Sequence, residues 1–186
     1  AAAMEKKDAV VQQLVKGVAA GLKHAKVEVH SSAPAIQKRN GAFLAAGESG
    51  GVEAKYLLLA SGSVPVVPPI PGVKEGLEAG YVVTSDTLLT RNTLPERLVI
   101  VGGGVIGMEM GAYFLRAGVL VSVVEMMDKI LGPSDREVSG LLQREMEKNG
   151  MRIHLDSRVT ALERGKLHFE QAGQANLRNN PVELTA

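Results

Sequence analysis

The chain has 186 residues, a formal net charge of +1 and no cysteine, a length that suits one large domain or two small ones. Balanced charge gives no basic field for nucleic acid, and no apolar run is long enough to span a bilayer. Without cysteine these residues offer no disulfide, no thiolate metal ligand and no thiol redox chemistry. The N-terminus, AAAMEKKDAV, lacks the pattern of a signal peptide, and the alanines before Met4 read as a tag remnant or an unassigned stretch. The four histidines, at 24, 30, 154 and 168, have no ligand-like spacing and read as ordinary surface or strand positions.

In chain order, Glu5 to His24 predicts an amphipathic helix, with Val11, Leu14, Val15, Val18 and Leu22 on one face. Its lysines read as a solvated face. Lys26 to His30 alternates as a short strand. Ser31 to Gly51 is rich in turn residues, with Ala42 to Ala46 as one strand of a small antiparallel meander. Val52 to Ala60 ends in Tyr-Leu-Leu-Leu-Ala, a run suited to a strand buried on both faces. Ser61-Gly62-Ser63 stops it. The segment Val64 to Gly72 carries four prolines, which fix φ and lack a donor, so it reads as an extended crossover between domains. Tyr81 to Val83 pairs briefly with a neighbour, Ser85 to Arg91 forms a helical turn, and the domain boundary falls near Asn92.

The stretch Leu98 to Gly111, LVIVGGGVIGMEMG, is the most informative in the chain. A short β-branched run leads into glycines and then into a helical pattern from Val105. The spacing Gly102-x-Gly104-x-x-Gly107 is the dinucleotide fingerprint in its expected setting. Gly102 permits the tight turn, Gly104 lets backbone approach a pyrophosphate, and Gly107 allows the helix to pack on the strand. The helix N-terminus at Gly103, Gly104, Val105 and Ile106 then faces the phosphates. A second strand, Gly118 to Val124, ends at Glu125, close to where a ribose-binding carboxylate is expected. A carboxylate there accepts from ribose hydroxyls and repels a 2′-phosphate. Met126 and Met127, not arginines, follow it, so the site is expected to prefer NAD over NADP. Glu109, early in the helix, is favoured there by the dipole without any function.

Beyond an irregular connection, Ser134 and Glu137 form a capping box for a helix. Val138, Leu141, Leu142 and Met146 are its expected buried stripe, and Asn149-Gly150 its stop. Met151 to Leu155 is a strand. Arg158 to Leu162 and Lys166 to Glu170 form a hairpin around Arg164-Gly165. The tail from Gln171 to Ala186 has no period and is expected to be loose. The whole is α/β: residues 1–92 as one part with the crossover, and 93–186 as a Rossmann-like βαβ unit with a small antiparallel meander. The sheet stops short of normal width, so the chain reads as a slice of a longer protein.

These residues carry a resemblance. LVIVGGGVIGMEMGAYFLRAGVLVSVVEMMDKIL and DREVSGLLQREMEKNGMRIHLDSRVTALE resemble the nicotinamide domain of the flavin-dependent disulfide oxidoreductases, in particular the dihydrolipoamide dehydrogenases of bacteria. YLLLASGSVPVVPPIPG is similar to the segment that closes the flavin domain of that family, and the first helix and strand fit the middle of the same domain. The resemblance implies that 1–92 is the C-terminal part of an FAD-binding domain. It implies an enzyme of the bacterial cytoplasm with FAD and NAD as cofactors, oxidising dihydrolipoamide on a lipoyl carrier protein or 2-oxo acid dehydrogenase complex, and a homodimer. It assigns Gly102, Gly104, Gly107 and Glu125 to NAD, Glu109 to a position between nicotinamide and flavin, and Ala60, Ser61 and Gly62 to FAD.

The departures are specific. The family's redox cysteine pair, first glycine fingerprint and C-terminal interface domain with its His-Glu pair have no counterpart in these residues. Ser61 stands where threonine is usual. Ser31-Ser32-Ala33-Pro34 replaces a stretch that tends to carry glycine near the adenine. Two other readings stay open: a sister flavoenzyme of the NADH oxidase, mercuric reductase or transhydrogenase type, or an NAD-binding module without redox activity.

Overall fold

The computed structural model of the chain describes residues 2–31, 34–47, 50–172 and 182–183. Two compact units divide between Val64 and Pro65. Residues 65–92 cluster with the second unit.

The first unit opens with α1 (Ala2–His24), none of whose residues is buried. It takes in Ala2 and Ala3, so the helix begins ahead of the predicted Glu5. The predicted strand Lys26–His30 is absent. Lys26 instead adopts φ 57°, its N–H donates to the Lys23 carbonyl at 3.1 Å, and the Val27 N–H reaches the Leu22 carbonyl at 3.0 Å. This pair of bonds is the Schellman closure, which satisfies carbonyls that the helix end would otherwise leave open. Then β1 (Ala35–Arg39), β2 (Ala42–Gly47) and β3 (Gly50–Ala54) form an antiparallel meander. The β1–β2 turn is Asn40-Gly41, both at positive φ (49° and 83°), as a two-residue hairpin turn requires. The predicted strand Val52–Ala60 is strand only as far as Ala54, in β3, and Tyr56 to Ala60 is not the buried run expected. It has no regular structure and is exposed, with Leu58 at 87%. A strand buried on both faces needs neighbours on either side, and no described strand pairs with it. Of the stretch Ser31-Ser32-Ala33-Pro34, Ser32 and Ala33 lie outside the described residues, as do 173–181 and 184–186 of the tail.

The second unit contains α2 (Val73–Glu78), α3 (Ser85–Leu88), β4 (Arg97–Val101), α4 (Val105–Arg116), β5 (Leu120–Val124), α5 (Arg136–Lys148), β6 (Arg152–His154), β7 (Ser157–Glu163), β8 (Lys166–Gln171) and β9 (Val182–Glu183). Strands β4, β5 and β6 form a parallel sheet in that order. Side chains alternate across it. Leu98, Ile100, Val121 and Val123 face a core built with Met108, Phe114, Val119, Ile130 and Met151. Val99 and Val124 face a second core with Val159, Leu162, Leu167 and Phe169. A sheet covered on both faces in this way is the α/β layering expected of parallel strands. Each fully buried aliphatic or aromatic side chain stabilises the unit by about 1.5–3 kcal/mol.

Several boundaries differ from the sequence reading. Tyr81 to Val83 forms no strand. The Val82 N–H donates to the Gly76 carbonyl at 3.0 Å, and these side chains pack into the two cores. The cap of α5 is Asp135, not Ser134. Its Oδ1 accepts from the N–H groups of Glu137 (2.8 Å) and Val138 (3.3 Å). A charged acceptor one residue nearer the helix reaches those donors directly. The α5 stripe is rotated accordingly: Ser139 is buried, Leu142 and Met146 pack on the core, and Val138 (56%) and Leu141 (63%) are exposed. Gly150 ends α5 at φ 99°. The tail is not wholly irregular, since β9 pairs with β8 through Leu167 and Val182.

Candidate functional site

The site forms at the carboxyl ends of β4 and β5, where ligands of open α/β sheets bind. Their register sets Val101 opposite Val124, so Gly102 and Glu125 leave the sheet side by side. The Gly102 N–H donates to the Val124 carbonyl at 2.9 Å, and φ 103° at Gly102 turns the chain sharply into α4. At Gly107 a Cβ would land on the Gly102 carbonyl oxygen and come within 3.2 Å of Ile100 Cγ2. Only glycine lets α4 lie this close to the turn.

Gly104 differs. It is the N-cap of α4, with no side chain bonded to the helix end, and a Cβ added there would meet nothing within 4 Å. The first-turn N–H groups of α4 have no carbonyl one turn back. They lie at the positive end of the helix dipole. That arrangement fits a pyrophosphate: the helix end offers N–H donors, and no side chain stands at Gly104.

Glu125 is held on all sides. Its N–H donates to the His154 carbonyl at 2.8 Å, and its carbonyl accepts from Ser157 at 2.9 Å. Carboxylate Oε2 accepts from the Gly103 N–H at 2.6 Å and Oε1 from the Met127 N–H at 2.8 Å. Gly103 is buried and its carbonyl accepts from Leu131 at 2.8 Å. Both polar groups of the Gly103 peptide are thus bonded within the protein. Each carboxylate oxygen has two acceptor positions, so Glu125 keeps capacity for ribose hydroxyls. Met126 and Met127 beside it are exposed and place no cation at a 2′-phosphate position.

The connection 126–135 is tied down at several points. Ile130 is fully buried, packed under Gly103. Lys129 Nζ binds the carbonyls of Gly132 and, at 2.7 Å, Ser134. Asp128 pairs with Arg136 at 2.6 Å. The hydrogen bond from Arg136 lowers the Asp128 carboxyl below its ordinary range, and the same contact raises Arg136. These residues were missed from the sequence, where only an acid directly before α5 hints at them.

Glu109 lies in the second turn of α4, exposed, on a face shared with Val105, Ile106 and Tyr113. Ala60, Ser61 and Gly62 belong to the first unit, in an exposed irregular segment, with φ 77° at Gly62. In β6, the His154 ring packs against Phe169, with centroids 5.0 Å apart and the planes tilted by 51°. Burial, and secondarily Arg152, holds its pKa below the ordinary histidine value. Among the described residues no group of His, Asp and Glu could hold a metal ion, and no helix is long and apolar enough to cross a membrane.

The chain is 39% identical over 171 residues to a dihydrolipoyl dehydrogenase of Acholeplasma laidlawii, covering 92% of this chain and 50% of that protein. It is 34% identical over 157 residues to a dihydrolipoyl dehydrogenase of Bacillus subtilis, covering 83% and 33%. The HOCl-induced flavoprotein disulfide reductase RclA of Escherichia coli, solved as its Cu(II) complex, superposes with a TM-score of 0.72 at 23% identity, covering 96% of this chain and 40% of that one. That last likeness is one of fold. The chain spans about half the length of the first relative and about a third of the second. The glycine turn with its bonded acid lies inside a longer match, the pattern of the pyridine nucleotide-disulphide oxidoreductases over residues 1–179, and the chain belongs to that family.

Proposed function

We propose that these residues form the NAD-binding unit, and part of the FAD-binding unit, of a dihydrolipoyl dehydrogenase. The observation that carries the NAD assignment is the Glu125 carboxylate fixed beside the glycine turn (2.6 Å to the Gly103 N–H), with exposed methionines following it. The likeness to dihydrolipoyl dehydrogenases supports dihydrolipoamide, on a lipoyl carrier protein or 2-oxo acid dehydrogenase complex, as electron donor. It also supports a homodimeric enzyme of the bacterial cytoplasm.

The chemistry supplied by bound FAD and NAD is transfer of two electrons from a dithiol to the nicotinamide. This chain's residues bind and orient. The N–H groups at Gly104, Val105 and Ile106 hold the pyrophosphate, with Gly107 setting their position. Glu125 accepts from the adenosine ribose. Ala60, Ser61 and Gly62 contribute backbone at the flavin. Glu109, on the exposed face of α4, positions the nicotinamide. With no cysteine, the chain carries no thiol step itself.

Competition between NADH and NADPH tests the reading. Loss of one charged hydrogen bond is worth about 1.5–3 kcal/mol, so NADH is expected to bind about tenfold more tightly or better. Equal affinities refute the NAD assignment.

A further inference from the structure

Glu125 makes two bonds that ribose recognition does not require. One carboxylate oxygen receives the Gly103 N–H and the other the Met127 N–H. Gly103 sits between the two glycines that shape the phosphate turn, and its carbonyl is held by Leu131 from the far end of the same loop. The loop is closed independently by Lys129, whose Nζ bonds to the Gly132 and Ser134 carbonyls. Ile130 fills the space beneath Gly103, with its Cγ2 3.0 Å from where a Gly103 Cβ would stand. The phosphate turn is therefore held at both polar groups of Gly103, by the Glu125 side chain at its N–H and by Leu131 of the 126–134 loop at its carbonyl.

We propose that Glu125 is a positioning residue for the pyrophosphate turn as well as a ribose acceptor, with Lys129 acting through the same loop. The proposal rests on the NAD reading above. Its chemistry is specific to a carboxylate. Two N–H donors face the side chain, and a carboxylate offers an acceptor to each. Glutamine offers one oxygen and one NH2, so in Glu125→Gln one backbone N–H confronts another donor and the grip loosens. A replacement that removes the negative charge to admit a 2′-phosphate would then also disturb the turn that binds the pyrophosphate of either dinucleotide.

The test separates the two roles with a ligand lacking the hydroxyls. Calorimetric titrations of the full chain use NADH and 2′,3′-dideoxy-ADP, with wild type, Glu125→Gln and Lys129→Met. If Glu125 positions the turn, Glu125→Gln weakens the dideoxy ligand by about tenfold, the loss expected for one charged hydrogen bond. Lys129→Met, which leaves Glu125 in place, weakens both ligands in the same direction. A Glu125→Gln chain that binds NADH poorly but the dideoxy ligand as well as wild type does confines Glu125 to the ribose and overturns the proposal. Should Glu125→Gln fail to fold, Lys129→Met decides: unchanged affinity for both ligands overturns it. Wild type binding neither ligand refutes the NAD reading itself.

Discussion

A methyl group at Gly107 would fall on the Gly102 carbonyl oxygen, whereas one at Gly104 would enter open space. The two alanine substitutions therefore separate packing from binding. Gly107→Ala is expected to destabilise the fold by about 1–3 kcal/mol, the usual cost of overpacking. Gly104 has φ −68° and ψ 178°, extended backbone that alanine adopts freely, so Gly104→Ala should change stability by less than about 1 kcal/mol. The added methyl stands where the pyrophosphate approaches, and NADH affinity should fall by about tenfold or more, equivalent to roughly 1.4 kcal/mol. Thermal unfolding and NADH titration of both variants check this. A destabilised Gly104→Ala with normal affinity would contradict the pyrophosphate placement. These glycines could be found from spacing because each has one mechanical task at a fixed distance. Glu125 could be found as an acid at a strand end. Its bonds to Gly103 and Met127 could not, because they depend on a turn and a loop meeting 22 residues apart.

Within β6, His154 shows how an element's surroundings set its response to pH. Burial against Phe169 and the nearby Arg152 depress its folded pKa below the value of 6.5 it takes unfolded. Between those two values the unfolded chain binds a proton that the folded chain does not, so stability falls as pH drops. The loss begins as pH falls through the unfolded value and levels off below the folded one. Lowering pH from about 7.5 to about 5 should therefore depress Tm more in wild type than in His154→Gln. Parallel Tm profiles for the two would show that His154 does not contribute. The pattern of β-branched and helical runs gave the order β4, α4, β5, α5, β6 directly. It misplaced the α5 cap by one residue and rotated its buried face, because Ser134 and Asp135 both suit a cap and only tertiary packing chooses. It missed β1, although Asn40-Gly41 is a strong hairpin signal. It carried the strand at Val52 on through Tyr56–Ala60 as a buried run, because hydrophobicity reports what a segment can bury, not whether a partner is present.

Across the whole molecule the two units differ in how their apolar residues are used. In the second, the β4–β5–β6 sheet has an apolar core on each face, and Val123 and Ile130 are fully buried. In the first, the face of α1 carrying Val11, Leu14, Val15 and Val18 is exposed. With none of its residues buried, α1 lacks the packing of an amphipathic face that supplies most helical stability in proteins. Amide exchange should register this contrast. Opening free energies run from near zero at unsupported segments up to the global value in a core. Amides of β4, β5 and β6 should therefore exchange roughly 100-fold more slowly than those of α1, or slower still, a gap of about 2.8 kcal/mol. Ligand binding sharpens the test, because a ligand that binds the folded form stabilises it by mass action. NADH should raise protection around 102–107 and 125–131 while leaving α1 as it was. Equal protection of α1 and the sheet would mean that the exposed face is covered in solution. Protection by NADH confined to α1 would place the nucleotide outside the glycine turn.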